Sequence, residues 1–82
     1  MRVTVLYFGV LREVMGGGGG VVDVADGVTV GELVRGFAAS NESKVWGSLA
    51  VAVNREYAAK ELVLREGDEV AMLPPVSGGS AA

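Results

Sequence analysis

The residues near the C-terminus have the types and spacing that could do chemistry. In order, they are Pro74, Pro75, Val76, Ser77, Gly78 and Gly79. The two prolines favour an extended chain and block a helix, so residues 74–79 would reach about 20 Å beyond the last strand. Glycines lack a Cβ atom, so such an end could thread a narrow channel in another protein. A free carboxylate on Gly79 would be unhindered for attack on the α-phosphate of ATP.

A Gly/Ser-rich chain end is often only frayed, and a Gly-Gly pair alone does not argue otherwise. Here the pair follows a predicted strand that begins after the turn Glu66-Gly67-Asp68 and ends at the two prolines. That combination favours a working tail over a frayed end.

The rest of the chain shows few groupings of side chains that could catalyse reactions or bind metal ions. The 82 residues contain no cysteine and no histidine, which excludes disulfides, thiolate metal sites and the commonest general base. The glutamates show no defensible pairing and are read as solvated surface charges. The formal net charge of −3, with single rather than clustered cations, argues against a nucleic-acid surface.

The first half of the chain predicts a hairpin. Val3–Phe8 is rich in β-branched and aromatic residues and is predicted as a buried strand. The longer apolar run Val3–Leu11 is not interpreted as a signal peptide, because Arg12 and Glu13 follow it at once. Val10–Met15 is predicted as a short helical turn. The five glycines Gly16–Gly20 are interpreted as a mobile loop, since they lack the pattern of a phosphate-binding loop. Val21–Val24 is the predicted second strand.

One main helix should follow the turn at Asp26-Gly27. Thr29 and Glu32 have the spacing of a capping box. The predicted buried face, at i, i+3, i+4 and i+7 spacing, consists of Val30, Leu33, Val34 and Phe37. The helix is expected to fade near Ala39-Ser40-Asn41.

The second half predicts three strands: Leu49–Val53, a short one at Leu62–Leu64 and a last one at Glu69–Leu73. Trp46 is interpreted as a partial cap over the core rather than an exposed contact residue. The order of elements indicates a small α+β domain with a single main helix.

Several segments resemble the MoaD/ThiS family of ubiquitin-like sulfur carriers, and most closely its molybdopterin synthase small-subunit branch. The most specific part is Gly67-Asp68-Glu69-Val70 followed by the Pro-Pro-Val-Ser-Gly-Gly run. Val5-Leu6-Tyr7-Phe8 with Arg12-Glu13 is similar to the family's first strand and turn, and Val51-Ala52-Val53-Asn54 to its central strand. The resemblance extends from about residue 2 to residue 79.

The resemblance implies a β-grasp fold, with a mixed sheet of four to five strands and one main helix. Residues 1–73 would be the domain, 74–79 the carrier tail and 80–82 additional residues. It also implies that an E1-like enzyme uses ATP to adenylate Gly79, which then becomes a thiocarboxylate. The tail would then insert into the large subunit of molybdopterin synthase, in a heterotetramer, and donate its sulfur to the pyranopterin precursor. The chain would bind no cofactor and act in the cytoplasm as a cosubstrate rather than a catalyst.

Carried over by position, Gly79 is the acceptor and Gly78 its threading neighbour. The partner-binding residues implied are Phe8, Arg12, Tyr57, Leu73, Pro74, Pro75, Val76 and Ser77. From the residues alone, Phe8 and Leu73 fit either an exposed surface or the core, and Arg12 fits either a partner contact or an ordinary surface charge.

Ser80-Ala81-Ala82 departs from the family pattern, because the carrier needs a free α-carboxylate on Gly79. The extension is expected to be a precursor segment or a cloning remnant, or else the domain only binds partners. Alternative functions are a sulfur carrier for thiamine, cysteine or tRNA thiolation, and a non-covalent ubiquitin-like interaction module.

Overall fold

The computed structural model describes residues 1–40 and 44–75. The strands are β1 (Arg2–Tyr7), β2 (Gly19–Asp23), β3 (Ala50–Val53), β4 (Glu56–Tyr57) and β5 (Glu69–Leu73). The helices are α1 (Leu11–Met15), α2 (Val30–Ser40) and a 3₁₀ helix (Lys44–Ser48).

The described strands form a single mixed sheet in the order β2-β1-β5-β3-β4. The hairpin partners β1 and β2 are antiparallel, whereas β5 lies parallel to β1 and antiparallel to β3. Helix α2 connects the N-terminal hairpin to the second half of the chain and covers one face of the sheet. This is the predicted β-grasp arrangement, and the last strand lies at the centre of the sheet.

The hydrophobic core lies between this face and α2. Alternate residues of the three central strands point into it, because successive side chains of a strand face opposite sides. They are Val3 and Val5 of β1, Val51 and Val53 of β3, and Val70 and Met72 of β5, all 8% exposed or less. From α2, Val30 and Leu33 are buried, and Val34 and Phe37 are half-buried against the same cluster, as the helical spacing predicted.

The predicted capping box begins α2. The backbone N–H of Thr29 donates to a Glu32 carboxylate oxygen at 2.9 Å, and the N–H of Glu32 donates to the Thr29 hydroxyl at 3.2 Å. Trp46, on the 3₁₀ helix, is 9% exposed and stacks on Phe37 with ring centroids 6.2 Å apart. The interpretation of Trp46 as a cap over the core is therefore confirmed.

The interpretation of all five glycines as a mobile loop is wrong. Gly19 and Gly20 belong to β2, where they pair with Leu6 and Val5. Gly19 has a φ of 137°, and a Cβ there would collide with the carbonyl oxygen of Val5. The missing side chain is thus what permits the close strand approach, and pairing with β1 outweighs the entropy lost by ordering glycine.

The short strand predicted at Leu62–Leu64 is also wrong. This segment makes only an isolated bridge between Val63 and Thr29. The fourth strand is instead β4, which continues from β3 through a two-residue turn. Among the described helices, none is long and apolar enough to cross a membrane.

Candidate functional site

Among the described residues, no helix covers the second face of the sheet, and we call this the open face. Its side chains alternate with those that fill the core. The pairing register places Leu6 opposite Ala71, Ala71 opposite Ala52, and Ala52 opposite Tyr57. These residues therefore form an apolar row across β1, β5, β3 and β4. Tyr57 ends the row and is 81% exposed, so its ring is available to a partner.

A second row lies beside the first, at the end of the sheet from which the tail leaves. Leu73 is opposite Ala50 in the register. Phe8 follows β1 on the same side, and its backbone N–H donates to the carbonyl oxygen of Met72 at 3.3 Å. Phe8 is 43% exposed, and Leu73 is half-buried. The structure therefore resolves the open question about these two residues: neither belongs to the core cluster.

The tail begins from a fixed base. Gly9 turns the chain after β1 with a φ of 57°, and a Cβ on it would lie 3.1 Å from Cγ of Pro74. Pro74 is half-buried by this approach, whereas Pro75 is exposed. The chain thus leaves the sheet at a defined point, next to Phe8 and Leu73. The remaining predicted site residues, Val76, Ser77, Gly78 and Gly79, lie outside the described residues.

The β3–β4 turn places Tyr57. Asn54 and Arg55 form the turn with φ values of 52° and 71°, which fit a two-residue hairpin. The Asn54 side-chain amide donates to Asp68 at 3.0 Å, and its carbonyl oxygen accepts the N–H of Glu69 at 3.0 Å. These bonds tie the turn to β5. Sequence reasoning missed β4 because Asn-Arg is a weaker hairpin signal than Asn-Gly.

Arg12 lies apart from these rows, on the exposed side of α1. Its guanidinium group is beside the glycine run, where a Cβ on Gly18 would be 3.7 Å from a guanidinium nitrogen. Within residues 1–40 and 44–75 it forms no ion pair. A contact between Arg12 and an acidic partner residue stays a prediction.

Two side chains on the helix side have shifted pKa values. Hydrogen bonds from the backbone and hydroxyl of Thr29 hold the pKa of Glu32 below its usual value, and nearby Arg35 adds to the effect. Burial raises the pKa of Tyr7, whose ring meets Phe37 edge to face at 6.1 Å. Both groups serve helix capping and packing. In the described part of the chain, no cluster of three or more acidic side chains is placed to hold a metal ion.

Comparison with known proteins agrees with this geometry. Residues 5–79 match the ThiS family. The molybdopterin synthase sulfur carrier subunit of Chlamydomonas reinhardtii is 35% identical over 96% of this chain and 100% of its own length.

Two solved structures are similar in fold as well as sequence. SAMP1 of Haloferax volcanii, a small archaeal modifier protein, superposes with a TM-score of 0.81 at 32% identity, covering 96% of this chain and 100% of its own. A chain from the complex of subunits 1 and 2 of the Helicobacter pylori molybdopterin-converting factor has a TM-score of 0.69 at 28% identity, with coverage of 96% and 100%. Since the family match spans most of the sequence and the fold agrees, this chain belongs to the ThiS family.

Proposed function

We propose that this protein is the sulfur carrier subunit of a molybdopterin synthase, with Gly79 as the sulfur-bearing residue. The observation that carries the proposal is the placement of the tail. Pro74 leaves the sheet against Gly9, beside Phe8 and Leu73. An apolar docking surface and the base of a reactive end are therefore fixed relative to each other. A carrier needs this arrangement, because it must deliver its end into a partner.

The chemistry takes place on the main chain. In an E1-like partner, the Gly79 carboxylate attacks the α-phosphate of ATP, and the bond to the β-phosphate breaks so that pyrophosphate leaves. The terminal sulfur of a sulfurtransferase persulfide then attacks the acyl-adenylate and releases AMP. A thiol reduces the resulting acyl disulfide, which leaves a thiocarboxylate on Gly79 and a disulfide between that thiol and the sulfurtransferase cysteine. Within the large synthase subunit, this sulfur bonds to the pyranopterin precursor, and water then cleaves the acyl–sulfur bond, which returns the Gly79 carboxylate. The carrier supplies no side-chain catalyst and is consumed and recharged as a cosubstrate in the cytoplasm.

Docking on the open face would use both apolar rows. Burial of a large exposed aromatic side chain at an interface is a common source of binding energy, which gives Tyr57 a central part. The similar Helicobacter pylori chain was solved in complex with subunit 2 of the same factor, which supports a large-subunit partner here. The activating enzyme would dock on the same face, because it must reach the same tail.

The active form would end at Gly79. The family match also ends at this residue, which supports a carrier that lacks Ser80-Ala81-Ala82. While those residues are attached, the Gly79 carbonyl is an amide and offers no carboxylate to ATP. Proteolytic removal would therefore precede the first adenylation.

A protein modifier is the second candidate function. An activated glycine can also acylate a lysine amine, and SAMP1 is named a modifier protein. The two functions differ in product: a thiocarboxylate on the free carrier in one case, and an amide to a lysine of another protein in the other.

A reconstitution assay tests the proposal. The chain ending at Gly79 is prepared with a C-terminal thiocarboxylate and mixed with a molybdopterin synthase large subunit and the pyranopterin precursor. Formation of molybdopterin is expected, with no product from the chain that retains residues 80–82. Product formation only with a thiazole synthase would instead support a thiamine pathway, and unchanged cellular function after deletion of Gly78 and Gly79 would support a non-covalent interaction module.

A further inference from the structure

Strand β2 lies at an edge of the sheet, with β1 on one side and no strand on the other within residues 1–40 and 44–75. The hydrogen bonds between β1 and β2 fix which backbone groups point outwards. Met1 and Val24 exchange bonds of 2.9 and 2.8 Å, and the N–H of Tyr7 donates to Gly18 at 3.0 Å. Because such bonds alternate along an antiparallel pair, the N–H and C=O groups of Gly19, Val21 and Asp23 point away from β1.

A groove runs alongside this edge, between β2 and α2, with a volume of about 350 Å³. Its apolar lining is supplied mainly by Val22, Val24, Val28, Leu33 and Phe37. Gly36 also lines it, and a Cβ there would meet nothing within 4 Å. The groove therefore has room for side chains, and it lies beside a strand edge whose outward N–H and C=O groups pair with no other strand in the described part of the chain.

The glycine run keeps this edge accessible. Gly20 has the same orientation as Val22, towards the helix side, yet a Cβ on Gly20 would meet nothing within 4 Å. The space in front of the groove is thus left open. Edge strands are commonly protected by lysine, proline or a bulge, and β2 contains neither of these residue types. The accessible edge of β2 is therefore a physical consequence of the glycine run, which the carrier function does not explain.

The charges at the groove select its occupant. Asp23 and Glu32 line it, and no Lys or Arg does so. Arg2 is bound to Asp23 at 3.2 Å, but both side chains are largely exposed and the pair is screened by solvent. Glu32 is ionised at neutral pH, as an ordinary glutamate is, and its hydrogen bonds with Thr29 lower its pKa further. A second copy of this acidic chain would bring like charges together, whereas a basic segment would meet opposite ones.

We infer that the β2 edge and its groove bind an extended segment of another protein, with alternating apolar residues and a basic end, which adds to the sheet as a sixth strand. The backbone of the segment pairs with Gly19, Val21 and Asp23, and its apolar side chains enter the groove. Its lysine or arginine residues lie near Asp23 and Glu32. Since the groove lies on the helix side of the sheet and the two apolar rows lie on the open face, this partner can bind while the open face is engaged elsewhere.

The test is an NMR titration of the full ¹⁵N-labelled chain with a synthetic seven-residue peptide. The peptide has valine at alternate positions, threonine between them and two lysines at one end. Shifts are expected at the amides of β2 and along α2 near Leu33 and Gly36. Two control peptides, one with the lysines replaced by glutamates and one N-methylated at alternate amides, should each bind at least about tenfold more weakly.

Variants separate the backbone contribution from the groove. Val21→Pro removes an N–H that points away from β1, so the hairpin bonds remain, and binding should fall at least about tenfold; Val21→Thr keeps the N–H and should bind normally. Gly36→Leu fills the groove while favouring the helix, so it should weaken binding without loss of thermal stability. Its control, Gly36→Ala, favours the helix equally but leaves most of the groove empty.

Three results would overturn the inference. One is the absence of shifts at β2 up to millimolar peptide, or shifts confined to the open face. Another is equal binding of Val21→Pro, Gly36→Leu and the unaltered chain. The third is concentration-dependent shifts at Gly19, Val21 and Asp23 without peptide, which would assign the edge to self-association.

Discussion

The backbone N–H of Phe8 donates to the carbonyl oxygen of Met72 at 3.3 Å. The residue that follows β1 is therefore bound to β5 at the residue before the end of that strand. This bond, with the approach of Pro74 to Gly9, holds the base of the tail beside the open face. A carrier needs such a junction, because a partner that grips the sheet then receives the tail in a reproducible direction.

Substitution of Tyr57 should impair docking without impairing folding. The side chain is 81% exposed, so Tyr57→Ala is expected to change the free energy of unfolding by less than about 0.5 kcal/mol. Truncation of an aromatic contact at an interface costs about 2 kcal/mol or more, so the affinity for the large synthase subunit should fall at least about thirtyfold.

Calorimetric titration of the large subunit with each variant checks this prediction. Tyr57→Phe is the matched control, since it keeps the ring and should bind nearly as well as the unaltered chain. Equal affinity of Tyr57→Ala and Tyr57→Phe would remove Tyr57 from the docking surface.

Two positions in the glycine run should respond in opposite ways to alanine. Gly19→Ala is expected to destabilise the fold by about 1–3 kcal/mol, because its φ of 137° and the Val5 carbonyl oxygen both exclude a Cβ. A Cβ on Gly17 would meet nothing within 4 Å, so Gly17→Ala should be neutral or stabilise by up to about 1 kcal/mol. Urea denaturation of both variants measures the difference, and equal stabilities would contradict the β1–β2 register.

The capping box should make stability depend on pH in the acid range. The folded-state pKa of Glu32 lies below its ordinary value of 4.5, so its contribution is complete above that pH and is lost as the pH falls through the folded-state value. Glu32→Gln keeps a side chain that can cap but cannot titrate. The stability difference between the two proteins should therefore shrink at low pH, as followed by thermal unfolding; a constant difference would show that Glu32 is not perturbed.

Thr29→Ala tests the other half of the capping box. Loss of its hydroxyl leaves the N–H of Glu32 without its acceptor and should cost about 1 kcal/mol of folding stability. Thr29→Ser retains the hydroxyl and should recover most of that loss in the same thermal unfolding measurement.

Local patterns predicted much of this fold. The capping box, the buried face of α2, the Gly67 turn and the limits of β5 follow from residue types a few positions apart, and the structure has them all. The errors concern β2 and β4, where distant strands decide the outcome. Gly19 and Gly20 are ordered by β1, and Glu56-Tyr57 by β3, which no local propensity reveals.

The candidate site was predictable only in part. The tail was visible as a motif. The exposure of Phe8 and Leu73 was not, because it depends on which alternate residues of each strand face α2, and only the assembled sheet decides this. The β2 edge and its groove had no sequence signal other than an unexplained run of glycines.

Mass spectrometry of the protein purified from its native source tests the central claim most directly. If Gly79 carries sulfur, the mass should correspond to a chain ending at Gly79 with one oxygen replaced by sulfur, and fragmentation should place the change on that residue. Treatment that hydrolyses thiocarboxylates should return the mass of the plain carboxylate. A chain that retains Ser80-Ala81-Ala82 unmodified in cells actively making molybdopterin would contradict the account.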